Sequence, residues 1–320
     1  MLPSSHIPDV NRPPSWPERL WIWAGLTVVC LGQLSSGDIC KASPDGFVRI
    51  PSGTFMMGSP PTERGRGDDE QLHQVTLTRD FWLQETEVTQ GQWQALMDNN
   101  PSYSAQGQWL QNWGQDPEQG PLLSKVCERC PVEQVNWWEA LAYTNALSRK
   151  ERLPECYTLN GCVQSPGEGM VCVAVKINAP NSDPYQCKGY RLATEAEWEY
   201  AARAATTAVR GGSANDVAWH ADVASHAVQS KRSNAWGLYD MLGNVWEWTW
   251  DRYGDYPVSS VTDNSGPSTG AARVIRGGGW YDFASDCRVA NRSFEAPGIR
   301  DYAIGFRVAR SIKHSEDDRK

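Results

Sequence analysis

Alternation of apolar and polar residues is the first pattern along the chain. The stretch "FVRIPSGTFMMGS", from Phe47 to Ser59, alternates around a Pro-Ser-Gly break, which predicts an opening strand and a hairpin. The stretch "HQVTLTRDFWLQETEVT", from His73 to Thr89, contains two further runs rich in β-branched and aromatic residues. These segments together predict β-structure between Phe47 and Thr89.

Three segments carry helical spacing. The helix after Thr194 has a capping box with Glu197, and a second helix begins at Asn136 with Glu139 in the matching position. A third, shorter helix follows Thr89. The predicted buried faces are Trp198, Ala201 and Ala202 in the first helix, Trp137, Ala140, Leu141, Thr144 and Leu147 in the second, and Trp93, Leu96 and Met97 in the third.

The predicted elements are short and are separated by much irregular chain. No repeat period and no polar low-complexity linker divides the sequence. The pattern predicts a single compact, irregular α+β domain over residues 46–311, with a short linker over 38–45 and a polar tail over 312–320.

Residues 1–37 have the pattern of an export signal. An apolar run over residues 20–32 follows Arg19 and precedes small residues, and we expect cleavage after Gly37. The run is shorter than the roughly 20 apolar residues that span a bilayer, so no stable membrane span is predicted. A lipid anchor is not expected either, because bulky residues precede both N-terminal cysteines: Val29 before Cys30 and Ile39 before Cys40. The mature protein is predicted to be periplasmic or extracellular.

Charge and composition exclude some classes of partner. The formal net charge is −8 and the pI about 5.2, and the sequence has no long Lys or Arg run. Nucleic acid and anionic lipid surfaces are therefore not expected partners, and peptides or small polar ligands are. The 16 tryptophans indicate either a core of large rings or an aromatic binding surface.

The cysteines predict disulfides. Nine are present, and loss of Cys30 with the signal leaves an even number, in a compartment where disulfides persist. Cys127 and Cys130 are expected to form a local disulfide, since no second pair at similar spacing completes a zinc site. Four more lie in one Gly-, Pro- and Asn-rich segment and predict a stapled loop of open connectivity: Cys156, Cys162, Cys172 and Cys187. Cys40 and Cys287 have no evident partner.

A series of segments resembles the successive motifs of one protein family. They run in family order from about Phe47 to Arg310: "VRIPSGTFMMGS", "ETEVTQGQW", "PVEQVNWWEAL", "GYRLATEAEWEYAARA", "NAWGLYDMLGNVWEWTWD", "RVIRGGGWYD" and "IGFRVAR". On these segments the chain is identified as a member of the formylglycine-generating enzyme, or sulfatase-modifying factor, family. The resemblance implies a compact α+β domain related to the C-type lectin fold. It also implies the family's founding activity, the oxygen-dependent conversion of a cysteine in a C-x-P-x-R segment of an exported sulfatase to formylglycine.

That activity requires two thiolates, which hold a soft cuprous ion that the substrate thiolate joins as O2 is activated. In the active enzymes both cysteines follow a G-G-S turn, and the resemblance places their positions here at Asp282 and Cys287. Asp282 is a hard oxygen ligand and a poor substitute for a thiolate. Gly279 and Ala303 replace two further polar groups, a serine and an asparagine. Bound copper is therefore not expected, and Cys287 is predicted to be a buried structural residue rather than a catalytic one.

The resemblance adds two candidate features around the "GNVWEW" motif. Trp246 stands at the position of an active-site tryptophan, although the motif also fits a turn and a core ring. A family calcium site is implied at the oxygen-bearing positions Asp240, Gly243, Val245 and Glu247. The alternative is that Glu247 only caps nearby backbone amides.

The two histidines His220 and His226 lie close together in sequence, but no third ligand has helical or hairpin spacing with them. They are predicted to be surface or loop residues.

Two functions follow as hypotheses. In the first, the chain is an exported binding or accessory protein without copper oxidase activity, which holds a peptide or a glycan in a groove near Trp280, Tyr281, Asp282 and Arg292. In the second, it is a divergent oxidase of substrate cysteines, with Cys287 as the remaining thiolate and Trp246 lining the cleft. The missing second cysteine favours the first hypothesis, and whether the protein is an enzyme stays open.

Overall fold

Two four-stranded sheets frame the protein, whose structure is a computed structural model that describes residues 43–103 and 127–312. In chain order the strands are β1 (Phe47–Ile50), β2 (Gly53–Met57), β3 (His73–Leu77), β4 (Phe81–Gln84), β5 (Tyr157–Asn160), β6 (Ala174–Ile177), β7 (Tyr190–Leu192), β8 (Ala218–Trp219), β9 (Leu242–Gly243), β10 (Trp246–Arg252), β11 (Val261–Thr262), β12 (Arg273–Arg276), β13 (Arg292–Glu295), β14 (Ile304–Gly305) and β15 (Val308–Ser311). The helices are α1 (Gln90–Met97), α2 (Trp137–Lys150), α3 (Glu195–Arg203) and α4 (Ala214–Val217), with 3₁₀ turns at Pro180–Ser182 and Pro184–Gln186.

The sheets bring distant parts of the chain together. The first has the order β1-β4-β15-β7 and is antiparallel throughout. The second has the order β13-β12-β10-β14, in which only the β10–β14 pair is parallel. A three-stranded sheet β11-β3-β2 and the small pairs β5–β6 and β8–β9 complete the β-structure of the described residues. The predicted mixed α+β architecture is confirmed.

The predicted opening hairpin is wrong, although both of its strands exist. β1 pairs with β4, whereas β2 pairs with β3, so the two strands enter different sheets. Pro51 cannot donate to a ladder, and the backbone N–H of Ser52 donates to the Asp80 carboxylate (2.7 Å) instead of to a cross-strand carbonyl. The break therefore redirects the chain rather than folding it back on itself.

Helix starts follow the predicted caps. Thr194 and Glu197, Asn136 and Glu139, and Thr89 and Gln92 each form a reciprocal capping box. Most residues of the predicted inward faces are buried, while Leu96, Met97 and Leu147 are partly buried. Local capping chemistry thus fixes where these three helices begin.

Tryptophan rings fill much of the core. Among the described residues, four tryptophans are fully buried: Trp93, Trp137, Trp198 and Trp248. Each donates its indole N–H to a partner, respectively the side chain of Asn99, the carbonyl of Thr249, the carboxylate of Glu247 and the carbonyl of Val135. Burial of such large rings is strongly stabilising once the indole N–H is satisfied. For these residues, the alternative of a packed core is confirmed.

Three disulfides close loops of the described chain. Cys127 pairs with Cys130, as predicted. In the stapled segment the connectivity is nested, with Cys156 bonded to Cys187 and Cys162 bonded to Cys172. Disulfides of this number are typical of proteins in an oxidising environment.

The described residues all belong to the second of two compact units, which begins at Ser43. Within residues 43–103 and 127–312, no helix combines the length and the apolar character that a membrane crossing needs. The predicted signal over 1–37, both N-terminal cysteines Cys30 and Cys40, and nearly all of the predicted polar tail lie outside the described residues.

Glu139 of α2 anchors the disulfide hairpin, the segment closed by the Cys162–Cys172 bond. Its Oε1 atom accepts backbone N–H groups of Gly167 (2.7 Å), Gly169 (2.8 Å) and Met170 (3.1 Å), while Oε2 accepts the N–H of Asn136 (2.9 Å). The side chain is fully buried. One carboxylate therefore satisfies amides of the helix start and of the hairpin together.

Glu139→Gln is predicted to destabilise the protein by about 2 kcal/mol. Both carboxylate oxygens accept backbone N–H groups, and the amide replaces one of these acceptors with an NH2 group, which cannot accept them. Urea unfolding measures the loss, and hydrogen exchange at Gly167, Gly169 and Met170 should accelerate. The matched control is Glu168→Gln, an exposed change in the same hairpin, expected to stay within about 0.5 kcal/mol. Equal stability of the two variants would contradict the anchoring role.

Candidate functional site

The candidate site lies where β12 leaves its sheet. After Arg276 the chain turns through Gly277 and Gly278, both with positive φ (103° and 84°) that a side chain would strain. A Cβ at Gly278 would lie 3.3 Å from Sγ of Cys287. The turn therefore brings the following loop against β10, which begins at Trp246.

Cys287 is a buried free thiol. It has no exposed surface and packs in an apolar cluster that includes Trp198 and Val289. Burial, and then the negative charge of Asp282, raise the pKa of the Cys287 thiol to about 12. At neutral pH the group is a protonated thiol, which is neither a nucleophile nor a good metal ligand.

Asp282 is held by two donors. Its Oδ2 atom accepts the indole N–H of Trp246 (2.7 Å) and the backbone N–H of Gly279 (2.8 Å). Burial raises the pKa of the Asp282 carboxyl, these two hydrogen bonds lower it, and the charges of Asp286 and Asp301 raise it further. The carboxylate therefore ties the glycine turn to Trp246.

This arrangement does not fit copper. The position where the resemblance expects the second thiolate holds a carboxylate whose Oδ2 accepts two hydrogen bonds, so only one sulfur stands where copper needs two. Gly279 and Ala303 supply no polar group. A Cβ at Gly279 would lie 3.2 Å from Cδ1 of Trp246 and 3.4 Å from the Ala303 Cβ, so both residues pack closely against the ring.

The predicted binding residues divide into two groups. Tyr281 and Asp282 lie at the surface, and Tyr281 is 44% exposed. Trp280 is only 4% exposed and packs against Val245 and Ala303. Its role is to support the surface from below.

Two aromatic residues that the sequence prediction left out complete the surface. Phe283 is 74% exposed and Tyr302 is 39% exposed. The rings of Tyr281 and Tyr302 meet edge to face at 6.0 Å, and Trp280 contacts both. The "WYDF" run would have pointed to Phe283, but only the fold brings Tyr302 close. We call the surface of Tyr281, Phe283 and Tyr302 the aromatic face.

Arg292 does not belong to the aromatic face, and its predicted binding role needs correction. Its guanidinium is buried, forms a bidentate pair with Glu195 (both bonds 2.8 Å) and lies 3.9 Å from the centre of the Tyr256 ring. The prediction failed because Arg292 begins β13, whose register with β12 turns its side chain toward α3. The residue holds the interior together.

The predicted calcium ligand Glu247 already has a cation. Its two carboxylate oxygens accept the Nε and Nη2 of Arg307 (2.7 and 2.8 Å), and Oε2 also accepts the indole N–H of Trp198 (2.8 Å). Arg307 is buried and also donates to backbone carbonyls of Gln84, Glu85, Tyr239 and Asp240. The Arg307 guanidinium thus already compensates the charge of the Glu247 carboxylate.

The other three predicted calcium ligands are Asp240, Gly243 and Val245. Oδ2 of Asp240 accepts the backbone N–H of Gln229 (2.8 Å), and Gly243 pairs with Trp219 in the β8–β9 ladder. Val245 is fully buried. Among the described residues, no group of three or more His, Cys, Asp or Glu side chains is arranged to hold a metal ion. Two of the predicted ligands are the backbone carbonyls of Gly243 and Val245, so calcium at these four positions stays a prediction.

Glu87 is a further buried carboxyl, which lies close to Asp240 and Glu247. It is fully buried, and neither of its oxygens has a hydrogen-bond partner in the described structure. Burial, and then the charge of Asp240, raise the pKa of Glu87 well above its ordinary value. Burial beside Asp240 therefore disfavours the charged form of Glu87.

The histidines lie in the loop beside the aromatic face. His226 pairs with Asp222 (3.0 Å) and stacks on Trp219 at 3.6 Å, while His220 approaches Asn215. The same loop contacts the aromatic face, because the backbone N–H groups of Ala221 and Asp222 donate to the carbonyls of Asp282 and Trp280. The loop therefore braces the aromatic face.

A cavity of about 350 Å³ lies elsewhere, between α2 and β5. Its polar lining groups are already paired. Asn145 bonds both backbone groups of Tyr157, and Arg149 pairs with Glu155. Nothing in this lining directs a ligand there rather than to the aromatic face.

A raised thiol pKa predicts slow alkylation of Cys287 in the folded protein. Iodoacetamide at neutral pH should modify it only after denaturation, as read by peptide mapping. Because the folded pKa of about 12 exceeds the ordinary 9.0, the thiol's contribution to stability is full below pH 9.0 and is lost as pH rises through about 12. Cys287→Ala removes this contribution and serves as the reference protein. Rapid labelling of native Cys287 at neutral pH would contradict a buried structural thiol.

For the Glu247–Arg307 pair, Glu247→Gln is predicted to lose about 3 kcal/mol, since it leaves a buried guanidinium without its counter-charge. Thermal unfolding midpoints with excess Ca²⁺ and with chelator are predicted to agree within about 1 °C, because the Arg307 guanidinium already compensates the Glu247 charge. A calcium-dependent rise in midpoint that disappears in Glu247→Gln would show instead that this carboxylate binds calcium.

Comparison with known proteins agrees with the fold and the motifs. The family model described as sulfatase-modifying factor enzyme 1-like domain matches residues 35–312. The chain is 31% identical over 293 residues to the chaperone protein LppX of Paenibacillus barcinonensis, covering 83% of this chain and 90% of that protein. It is also 31% identical over 303 residues to the formylglycine-generating enzyme of Streptomyces coelicolor, again covering 83% and 90%.

A solved structure extends the likeness to three dimensions. The Treponema denticola variable protein 1 superposes with a TM-score of 0.63 at 34% identity, covering 83% of this chain and 95% of that one. The residues matched by the family model, 35–312, include β1 through β15 and every position of the candidate site. The chain therefore belongs to the formylglycine-generating enzyme, or sulfatase-modifying factor, family.

Proposed function

We propose that this protein is an exported, non-oxidising member of its family that uses the aromatic face to bind a peptide segment of a partner protein. The hydrogen-bonded carboxylate of Asp282 is the observation that carries the proposal. It occupies the position at which copper chemistry needs a thiolate, and it takes the indole N–H of Trp246 as a structural tie. Trp246 then acts as part of a scaffold rather than in catalysis.

The aromatic face supports recognition. Exposed aromatic rings rimmed by polar groups are enriched at protein interfaces, where they bury large areas at low entropic cost. Tyr281 and Tyr302 rest on the buried Trp280 ring, so they are preorganised. A glycan is a second ligand class for the same rings, because sugars also pack on aromatic faces.

Export is supported by the disulfides of the described chain and by the signal-like pattern of residues 1–37. Relatives of equal identity carry both kinds of name, a chaperone protein and a formylglycine-generating enzyme. Overall similarity therefore does not choose between a binding protein and a divergent oxidase, and the hydrogen-bonded Asp282 and the buried Cys287 support the binding protein.

The oxidase alternative predicts turnover, and our proposal predicts none. The copper-treated protein is incubated with O2 and a C-x-P-x-R peptide, and the peptide is followed by mass spectrometry. No thiol-to-aldehyde conversion is expected above a protein-free control, while an authentic formylglycine-generating enzyme converts the peptide under the same conditions. Conversion by the wild-type protein that is lost in Cys287→Ala would overturn the proposal.

A further inference from the structure

The Cys127–Cys130 disulfide joins an accessible residue to a buried one. Cys127 is partly exposed, whereas Cys130 is only 7% exposed. The two residues between them, Glu128 and Arg129, are both exposed, so the bond lies in a turn at the surface. Access decides which sulfur of a disulfide an incoming thiol attacks, and here it favours Cys127.

The turn that carries this disulfide is held by hydrogen bonds that do not involve sulfur. Within the turn, the backbone N–H of Cys130 donates to the carbonyl of Cys127 (2.9 Å). At the start of α1, the backbone N–H groups of Gln90 and Gly91 donate to the carbonyls of Cys130 (2.9 Å) and Glu128 (3.0 Å). Opening of the disulfide therefore leaves the turn attached to α1.

Arg129 attaches the turn on its other side. Its carbonyl accepts the backbone N–H of Val228 (2.8 Å), and its guanidinium donates to the carbonyl of Val228 (3.1 Å). With α1 on one side and Val228 on the other, Cys127 and Cys130 keep their places when the bond between them is open. The pair is therefore built to open and close without unfolding the protein.

Cys130 is placed to leave as a thiolate. Its carbonyl accepts the first backbone N–H of α1, so the residue lies at the positive end of that helix. The positive end of a helix and the short C-x-x-C spacing both favour a thiolate over a thiol. A stabilised reduced form makes a disulfide a better acceptor of electrons.

The other two disulfides of the described chain provide internal comparisons. Cys156 and Cys187 are 0% and 1% exposed, so a thiol reaches their bond only when the fold opens. Cys162 is exposed, and its bond to Cys172 closes the disulfide hairpin without a C-x-x-C spacing. The Cys162–Cys172 bond therefore shows what accessibility alone does.

We propose that the Cys127–Cys130 disulfide is redox-active and accepts two electrons from a partner protein that carries two neighbouring cysteine thiols. A thiolate of the partner attacks Sγ of Cys127, the Cys127–Cys130 bond breaks, and its electron pair stays on Sγ of Cys130. The partner's second thiolate then attacks the partner sulfur of the mixed disulfide and releases Cys127. The partner gains a disulfide, and the protons of its two thiols pass through solvent to Cys127 and Cys130. This site does not depend on peptide binding at the aromatic face.

The first test measures the equilibrium of each disulfide in the folded protein. The protein is equilibrated at neutral pH with mixtures of reduced and oxidised glutathione, quenched with acid and mapped by alkylation and peptide mass. The equilibrium constant for reduction of Cys127–Cys130 should exceed that of Cys162–Cys172 on the order of tenfold. Cys156–Cys187 should stay oxidised, and circular dichroism should not change. Equal constants for the two accessible disulfides would overturn the proposal.

Single substitutions within the pair assign the attacked sulfur. Cys130→Ser leaves Cys127 as a free thiol and Cys127→Ser leaves Cys130, so each variant is the matched control of the other. Oxidised glutathione should form a mixed disulfide with Cys127 on the order of tenfold faster than with the buried Cys130. The buried thiol of Cys287 is the slow reference in both variants. A reaction of Cys130 as fast as that of Cys127 would contradict the assigned order of attack.

The last test asks whether the disulfide passes to another molecule. A reduced peptide with a C-x-x-C pair is incubated with the protein in the absence of O2, and the peptide disulfide is measured by mass spectrometry. One peptide disulfide should form for each Cys127–Cys130 bond lost. The double variant with serine at both positions keeps the other two disulfides and should form none. Equal peptide oxidation by the wild-type protein and the double variant, or none by either, would refute the redox role.

Discussion

Buried carboxylates on α3 tie the helix to strands of both four-stranded sheets. Glu195, Glu197 and Glu199 are all buried, and an unpaired charge in such a place would cost several kcal/mol. Each is matched by an arginine from a different strand: Arg292 of β13, Arg191 of β7 and Arg276 of β12. Burial alone would raise the pKa of Glu195, but Arg292 and Arg276 hold it below its ordinary value. The helix therefore docks only when β7, β12 and β13 are in register.

This ionic core explains how the elements around the glycine turn are held in place. Trp198 of α3 donates to Glu247, and Glu247 is held by Arg307, so β10 is joined to the same network. β12 leads directly into the glycine turn, and β10 begins at Trp246. The position of the turn is thus set by buried charge pairs, none of which uses a metal or Cys287. Loss of the second thiolate at Asp282 leaves these supports unchanged.

Sequence patterns predicted the features formed by residues close together in the chain and missed the contacts between residues far apart in it. The capping boxes at Thr194 and Asn136 involve residues one helical turn apart, and both helices begin as predicted. The partner of Arg292 is Glu195, 97 residues away, and no local spacing announces it. The opening strands were recognised, but their pairing depends on β3 and β4 and was mispredicted. At the candidate site, Tyr281 and Asp282 could be read from one segment, whereas Tyr302 joins them only through the fold.

Asp282 also changes the charge at the position where the resemblance expects a thiolate. A soft sulfur ligand gives way to a hard anion in a half-buried position, close to the like charges of Asp286 and Asp301. Two N–H donors offset part of the cost, since they bind one of the carboxylate oxygens. The same two bonds join the Gly279 backbone to the indole of Trp246, so the carboxylate that carries this cost also holds the glycine turn against β10.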